Sequence, residues 1–287
     1  MKLSALIRRA GTALAALAVA VVLPSCFESH STVKLNKDGS GTIENKIIMS
    51  AQMAGMMNAA AAQEGADVKN PLTDEAQYKD NVKKMGEGVE FTGLKPLKFD
   101  DGRQGVVVSY KFADIRKVKM EPGEAGPPGG EEADKEKDAK ATPIVFDFTP
   151  GDKAKLTIKM PPPAKVEAKP EEKKDDKKAD DGEPNVAEGA GDQDAAAMAM
   201  MAPMMQGMRV SMVIETSGNI SETNATFHEG NKITLMDIDF GKLMAKPEFA
   251  KKLKSPDDMK DFAKFSAIAK EAGANIEAKP EVTVTFE

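Results

Sequence analysis

The sequence predicts an α+β fold: an antiparallel sheet built from hairpins, with segregated helices, interrupted by two disordered insertions. Three observations carry this. Apolar and polar residues alternate in short runs bounded by glycine turns, as in Val33-Lys34-Leu35 and between Ile43 and Met49, which is the period of a half-buried strand. Helix formers gather in separate segments that open on serine or threonine. Residues 121–141 and 161–194 are dominated by Pro, Gly, Lys, Asp and Glu, and bury too little apolar surface to offset the entropy of ordering. Hairpins with separate helices specify α+β rather than a parallel sheet.

In chain order, residues 1–25 read as a lipoprotein signal peptide. Lys2, Arg8 and Arg9 precede an apolar run from Ala10 to Leu23 that is too short to favour a stable membrane span. Its end, Leu23-Pro24-Ser25-Cys26, resembles the lipobox of bacterial lipoproteins. That resemblance implies cleavage between Ser25 and Cys26, lipid on the Cys26 thiol and acylation of the new amino group. Cys26 is the only cysteine in the chain, so no internal disulfide competes for it. By resemblance to proteobacterial sorting, Phe27 in place of an aspartate implies the outer membrane, with the domain facing the periplasm. Two or more acyl chains suffice for stable attachment. The expected partner is therefore a membrane, through the lipid on Cys26.

Residues 26–120 form the N-terminal part of the domain. Strands are expected at Thr32–Asn36 and Thr42–Met49, then a helix at Ser50–Gln63, a second capped by Thr73 and stopped at Gly86, and strands at Val89–Phe99 and Gly105–Phe112. Residues 142–160 read as a β-hairpin, with Ile144, Phe146, Phe148, Leu156, Ile158 and Met160 inward around Pro150-Gly151-Asp152. Residues 195–287 form the C-terminal part. A methionine-rich helix runs from Ala195 towards Gly207, followed by strands at Arg209–Glu215, Asn224–Phe227 and Lys232–Phe240. Helices at Pro247–Leu253 and Pro256–Ala272 precede a last strand at Glu281–Phe286.

The hairpin VKLNKDGSGTIENKI close behind the lipobox, and the later stretch TSGNISETNATFHEGNKITLMDIDF, resemble uncharacterised bacterial envelope lipoproteins of the LppM-domain type. The resemblance implies an α+β lipoprotein and no established activity.

Little else suggests chemistry. Asn36, Asp38, Ser40, Gly41 and Ile43 fall at positions 1, 3, 5, 6 and 8 of an EF-hand loop, but Ile47 stands where the bidentate glutamate belongs. The flanks alternate like strands, so the loop is expected to be a turn in which Gly39 supplies a positive φ. His30 and His228 belong to no triad or metal spacing, and no P-loop, Rossmann or hydrolase fingerprint occurs. Asp237 and Asp239 would share one strand face, where solvated carboxylates are favoured over a shared cation. With a net charge of −6 the chain is a poor binder of nucleic acid.

The expectation is a non-enzymatic binding or scaffolding protein of the cell envelope, without a cofactor. Its 18 methionines set the alternatives, because they cluster. Met200, Met201, Met204, Met205 and Met208 supply soft thioethers that suit Cu(I). The spacing 201, 204, 205, 208 is also the stripe of a helix packed on a sheet, offering an adaptable surface for a protein or an apolar ligand.

Overall fold

The computed structural model describes residues 27–64, 70–120, 143–161, 207–252 and 262–287. The expected signal peptide with Ser25 and Cys26, the first insertion, and all of the second after Pro161 lie outside the described residues, as do Met200, Met201, Met204 and Met205.

The chain is α+β. Strand β1 (Phe27–Leu35) turns into β2 (Gly41–Met49), and helices α1 (Ala51–Glu64) and α2 (Glu75–Asn81) lead to β3 (Val89–Lys98) and β4 (Gln104–Phe112). Next come β5 (Val145–Thr149), β6 (Ala154–Lys159), β7 (Met208–Thr216), β8 (Ile220–Thr223), β9 (His228–Glu229) and β10 (Lys232–Asp239). Helices α3 (Phe240–Met244), α4 (Pro247–Lys252) and α5 (Phe262–Glu271) precede β11 (Asn275–Ile276) and β12 (Glu281–Phe286).

The large sheet runs β11-β10-β7-β1-β2-β4-β3, with β9 beside β10; the small sheet runs β5-β6-β12-β8. The large sheet is mixed, which corrects the antiparallel expectation. β7 lies parallel to β1, with Phe27 opposite Met208 and Leu35 opposite Thr216. Parallel neighbours need a crossover rather than a tight turn, so local alternation carries no trace of that pairing.

Side chains alternate along β1. Phe27, Val33 and Leu35 face the core together with Ser29 and Ser31, while Glu28, His30, Thr32 and Lys34 face outward. The inward face continues through Ile43, Ile47 and Met49 of β2 and Val106, Val108, Tyr110 and Phe112 of β4, and one core cluster takes in both sheets. Pro96 sits in β3, the edge strand, where its missing N–H breaks no ladder.

Several boundaries differ from the sequence reading; α2, expected to stop at Gly86, ends at Asn81. α2 is capped by Asp74, which accepts from Ala76 N–H, because Asn70-Pro71 opens a 3-10 turn that takes up Thr73. The strand expected at Asn224–Phe227 lies at Ile220–Thr223 instead. Asn224 ends it by bonding β12 through its side chain: Oδ1 accepts from Thr283 N–H and Nδ2 donates to the Glu281 carbonyl. β1 begins at Phe27 rather than Thr32, since serines occupy two of its inward positions.

Candidate functional site

The loop with the calcium-like spacing is a turn. Gly39 N–H donates to the Asn36 carbonyl at 3.0 Å, and Asn36 N–H donates to the Ser40 carbonyl at 2.8 Å. The Ser40 hydroxyl and backbone N–H donate to Asp38 Oδ1 at 2.7 and 2.9 Å, and these bonds hold the Asp38 carboxyl below its usual range. Gly39 has φ +90°, and a Cβ there would come within 2.9 Å of the Phe148 ring in the small sheet. The turn therefore joins the two sheets. Its carboxylate is taken up by the hydroxyl and backbone N–H of Ser40.

The described methionines other than Met56 serve packing. Met49, Met212 and Met236 are buried, and Met53, Met57 and Met208 pack against the same core from partly exposed positions. Met56 on α1 stands out at 66% exposure. Met208, one of the five thioethers suited to Cu(I), opens β7 directly beside Phe27. No group of three His, Cys, Asp or Glu side chains that would hold a metal occurs among the described residues.

The most concentrated polar chemistry lies on the outward face of β1, β7 and β10. His30 Nδ1 is 2.7 Å from Ser211 Oγ, and His30 Nε2 is 3.3 Å from Glu28 Oε2. Glu28 Oε1 accepts from Arg103 Nη1 at 3.4 Å, and Arg103 Nε donates to Asp101 at 2.8 Å. Beside them Arg209 grips Asp237 with two bonds, of 3.0 and 2.9 Å, which raises the guanidinium pKa further. Asp239 caps α3 by accepting from Lys242 N–H. Burial pushes the Asp239 carboxyl up, but the Lys242 backbone and side chain outweigh it and leave it low. Asp237 and Asp239 each have their own basic partner, so no shared cation is needed.

A chain of Ser211, His30 and Glu28 has the residue types of a hydrolytic triad. Its wiring is wrong for one: a triad serine meets Nε2 and the carboxylate meets Nδ1, and here the two nitrogens are exchanged. Ser211 also pairs with strands on both sides, opposite His30 and Asp237, which commits its backbone to the ladders rather than to an oxyanion. No local pattern reveals this chain, because His30 and Ser211 are 181 positions apart.

A shallow hollow of about 370 Å³ is lined by Val213, Thr226, Phe227, His228, Glu229, Lys232 and Thr234. Behind it Glu277, only 4% exposed, accepts from Thr226 N–H (2.6 Å), Thr226 Oγ1 (2.9 Å), Ala278 N–H (2.9 Å) and Lys279 N–H (3.1 Å). Burial pushes its carboxyl up, and the four donors together overcome that and hold it below the usual range.

No family model matches the chain, and no curated protein matches it. Among solved structures it is similar to the NMR structure of the Mycobacterium tuberculosis LppM folded domain. The likeness covers 92% of this chain and 91% of that one, at 8% identity and a TM-score of 0.30.

Proposed function

We propose that the chain is a lipid-anchored protein of the bacterial cell envelope, held through Cys26 and facing the periplasm from the outer membrane, with a non-enzymatic binding or scaffolding role. The lipobox Leu23-Pro24-Ser25-Cys26 behind a positively charged, apolar leader carries the reading. The non-enzymatic part is supported by how the polar side chains are used. The nearest approach to a catalytic chain, Ser211–His30–Glu28, is wired backwards and bound into the ladders, and Asp237, Asp239 and Glu277 are engaged in ion pairs, caps and backbone bonds. The methionine-rich composition before Met208 makes that segment the one that would take up a protein or apolar partner.

Metabolic labelling with a fatty-acid analogue tests the anchor. Label should enter the wild-type protein and be absent from Cys26→Ala, and label retained by that variant would sink the proposal. For the non-enzymatic role, an esterase or amidase activity abolished by Ser211→Ala in the purified protein would reverse the conclusion.

A further inference from the structure

We infer that the end of the large sheet at which β1 begins rests against the lipid headgroups of the anchoring membrane, so that the domain is held in a fixed orientation rather than swinging on a tether. The inference rests on the proposed lipidation of Cys26 and adds the surface that meets the bilayer. Phe27 is the first residue of β1 and is 3% exposed, with Met49 opposite on one side and Met208 on the other. β1 also lies in the middle of its sheet. No spacer separates the anchor from the fold.

The dimensions leave little freedom. With its amino group acylated, Cys26 has its backbone nitrogen at the hydrocarbon boundary, and the Phe27 Cα lies about 3.8 Å from that of Cys26. The headgroup layer is roughly 5–8 Å deep on each side of the bilayer. Neighbouring strands are about 4.8 Å apart, so the ends of β2 and β7 lie about 5 Å to either side, and those of β4 and β10 about 10 Å. Those ends carry Arg103 before β4 and Gln104 as its first residue, and Asp239 and Lys242 where β10 enters α3. The turn Phe99–Arg103, closed by the bond from Gly102 N–H to the Phe99 carbonyl, packs there against α1. A Cβ on Gly102 would meet Ala51 Cβ at 3.1 Å.

The charges of this rim name the lipid. Arg103 is matched by Asp101 and Glu28, Arg209 by Asp237, and Lys242 by Asp239. A rim of paired charges fits zwitterionic headgroups and has no surplus of cations to draw it to anionic lipid. The turn Asn36–Ser40 at the other end of β1 stands about 26 Å further out.

The full lipidated protein in zwitterionic phosphatidylethanolamine and phosphatidylcholine vesicles tests this. Asp101→Cys or Lys37→Cys supplies a free thiol for a fluorophore, since the Cys26 thiol carries lipid. A nitroxide on the lipid headgroup should quench the Asp101→Cys reporter several-fold more than the Lys37→Cys reporter. A twelve-residue Gly-Ser spacer between Cys26 and Phe27 should bring the two close to equal. Equal quenching without the spacer, no change on adding it, or a difference that appears only with anionic lipid would overturn the inference. Fatty-acid incorporation in the same preparation separates the two failures. Labelled protein with equal quenching defeats the orientation alone, whereas unlabelled protein defeats the anchor and the orientation with it.

Discussion

Replacing Glu277 by glutamine should cost about 3 kcal/mol at neutral pH, although the change is nearly isosteric. The carboxylate accepts four hydrogen bonds, and three of their donors are backbone N–H groups. Glutamine keeps one acceptor oxygen and turns an NH2 towards a donor. The shortest bond, from Thr226 N–H at 2.6 Å, is the most exposed to that loss. A buried donor left unpaired costs about 1–3 kcal/mol, and hydrogen bonds to a charged acceptor are worth about 1.5–3 kcal/mol against about 1 for neutral ones. The pH dependence gives the stricter test. The folded-state pKa lies below the ordinary value of 4.5, so the carboxylate contributes stability above that value and loses the contribution as pH falls through the folded pKa. Urea unfolding of wild type and Glu277→Gln should differ most at pH 7, and the gap should narrow progressively below pH about 4.5. A variant as stable as wild type at pH 7, or a gap unchanged at pH 3, would refute the reasoning.

The other predictions are more local. Gly39→Ala forces a side chain into positive φ and onto the Phe148 ring, and should lower stability by about 1–3 kcal/mol in the same urea assay. Tyr78, whose buried hydroxyl donates to the Leu72 carbonyl, has its phenol pushed up to about 12 by burial. Ultraviolet titration should show Tyr78 ionising well above pH 10, and stability should fall as pH rises from about 10 towards 12. The Arg209–Asp237 pair is bidentate but half exposed, so a double-mutant cycle should return under about 1 kcal/mol and shrink further in high salt.

What could be read from the sequence follows from which forces act locally. Alternation around glycine turns located most strands, because a strand with one buried face repeats every second residue. The start of β1 was invisible for the same reason: Ser29 and Ser31 are inward and buried, yet read as polar. Ser31 donates to Asn45 Oδ1 at 2.8 Å across the sheet, a pairing that no hydropathy pattern encodes. β8 was misplaced onto Asn224–Phe227 because that run also alternates, while hydrogen bonds from Asn224 to β12 decide where pairing stops. The candidate site was the least legible. His30, Ser211, Glu28 and Arg103 come from two strands and a turn, and Ser211 joins the others only once β7 lies beside β1.

That parallel pairing governs how the molecule must assemble. Closing a flexible loop of 181 residues costs about 4–5 kcal/mol through its length dependence alone, before any contact between the two strands compensates. β1, β2, β4 and β3 can pair within the first 112 residues. Until β7 arrives, β1 is then an edge strand, with a row of unpaired N–H and C=O groups open to any other extended chain. The fold thus has a high contact order at its centre, where small domains have their slowest steps. Mutations along β7 should slow the final closure more than mutations in the β2–β4 pair, and an incomplete chain is most prone to aggregate through the edge that β7 finally covers.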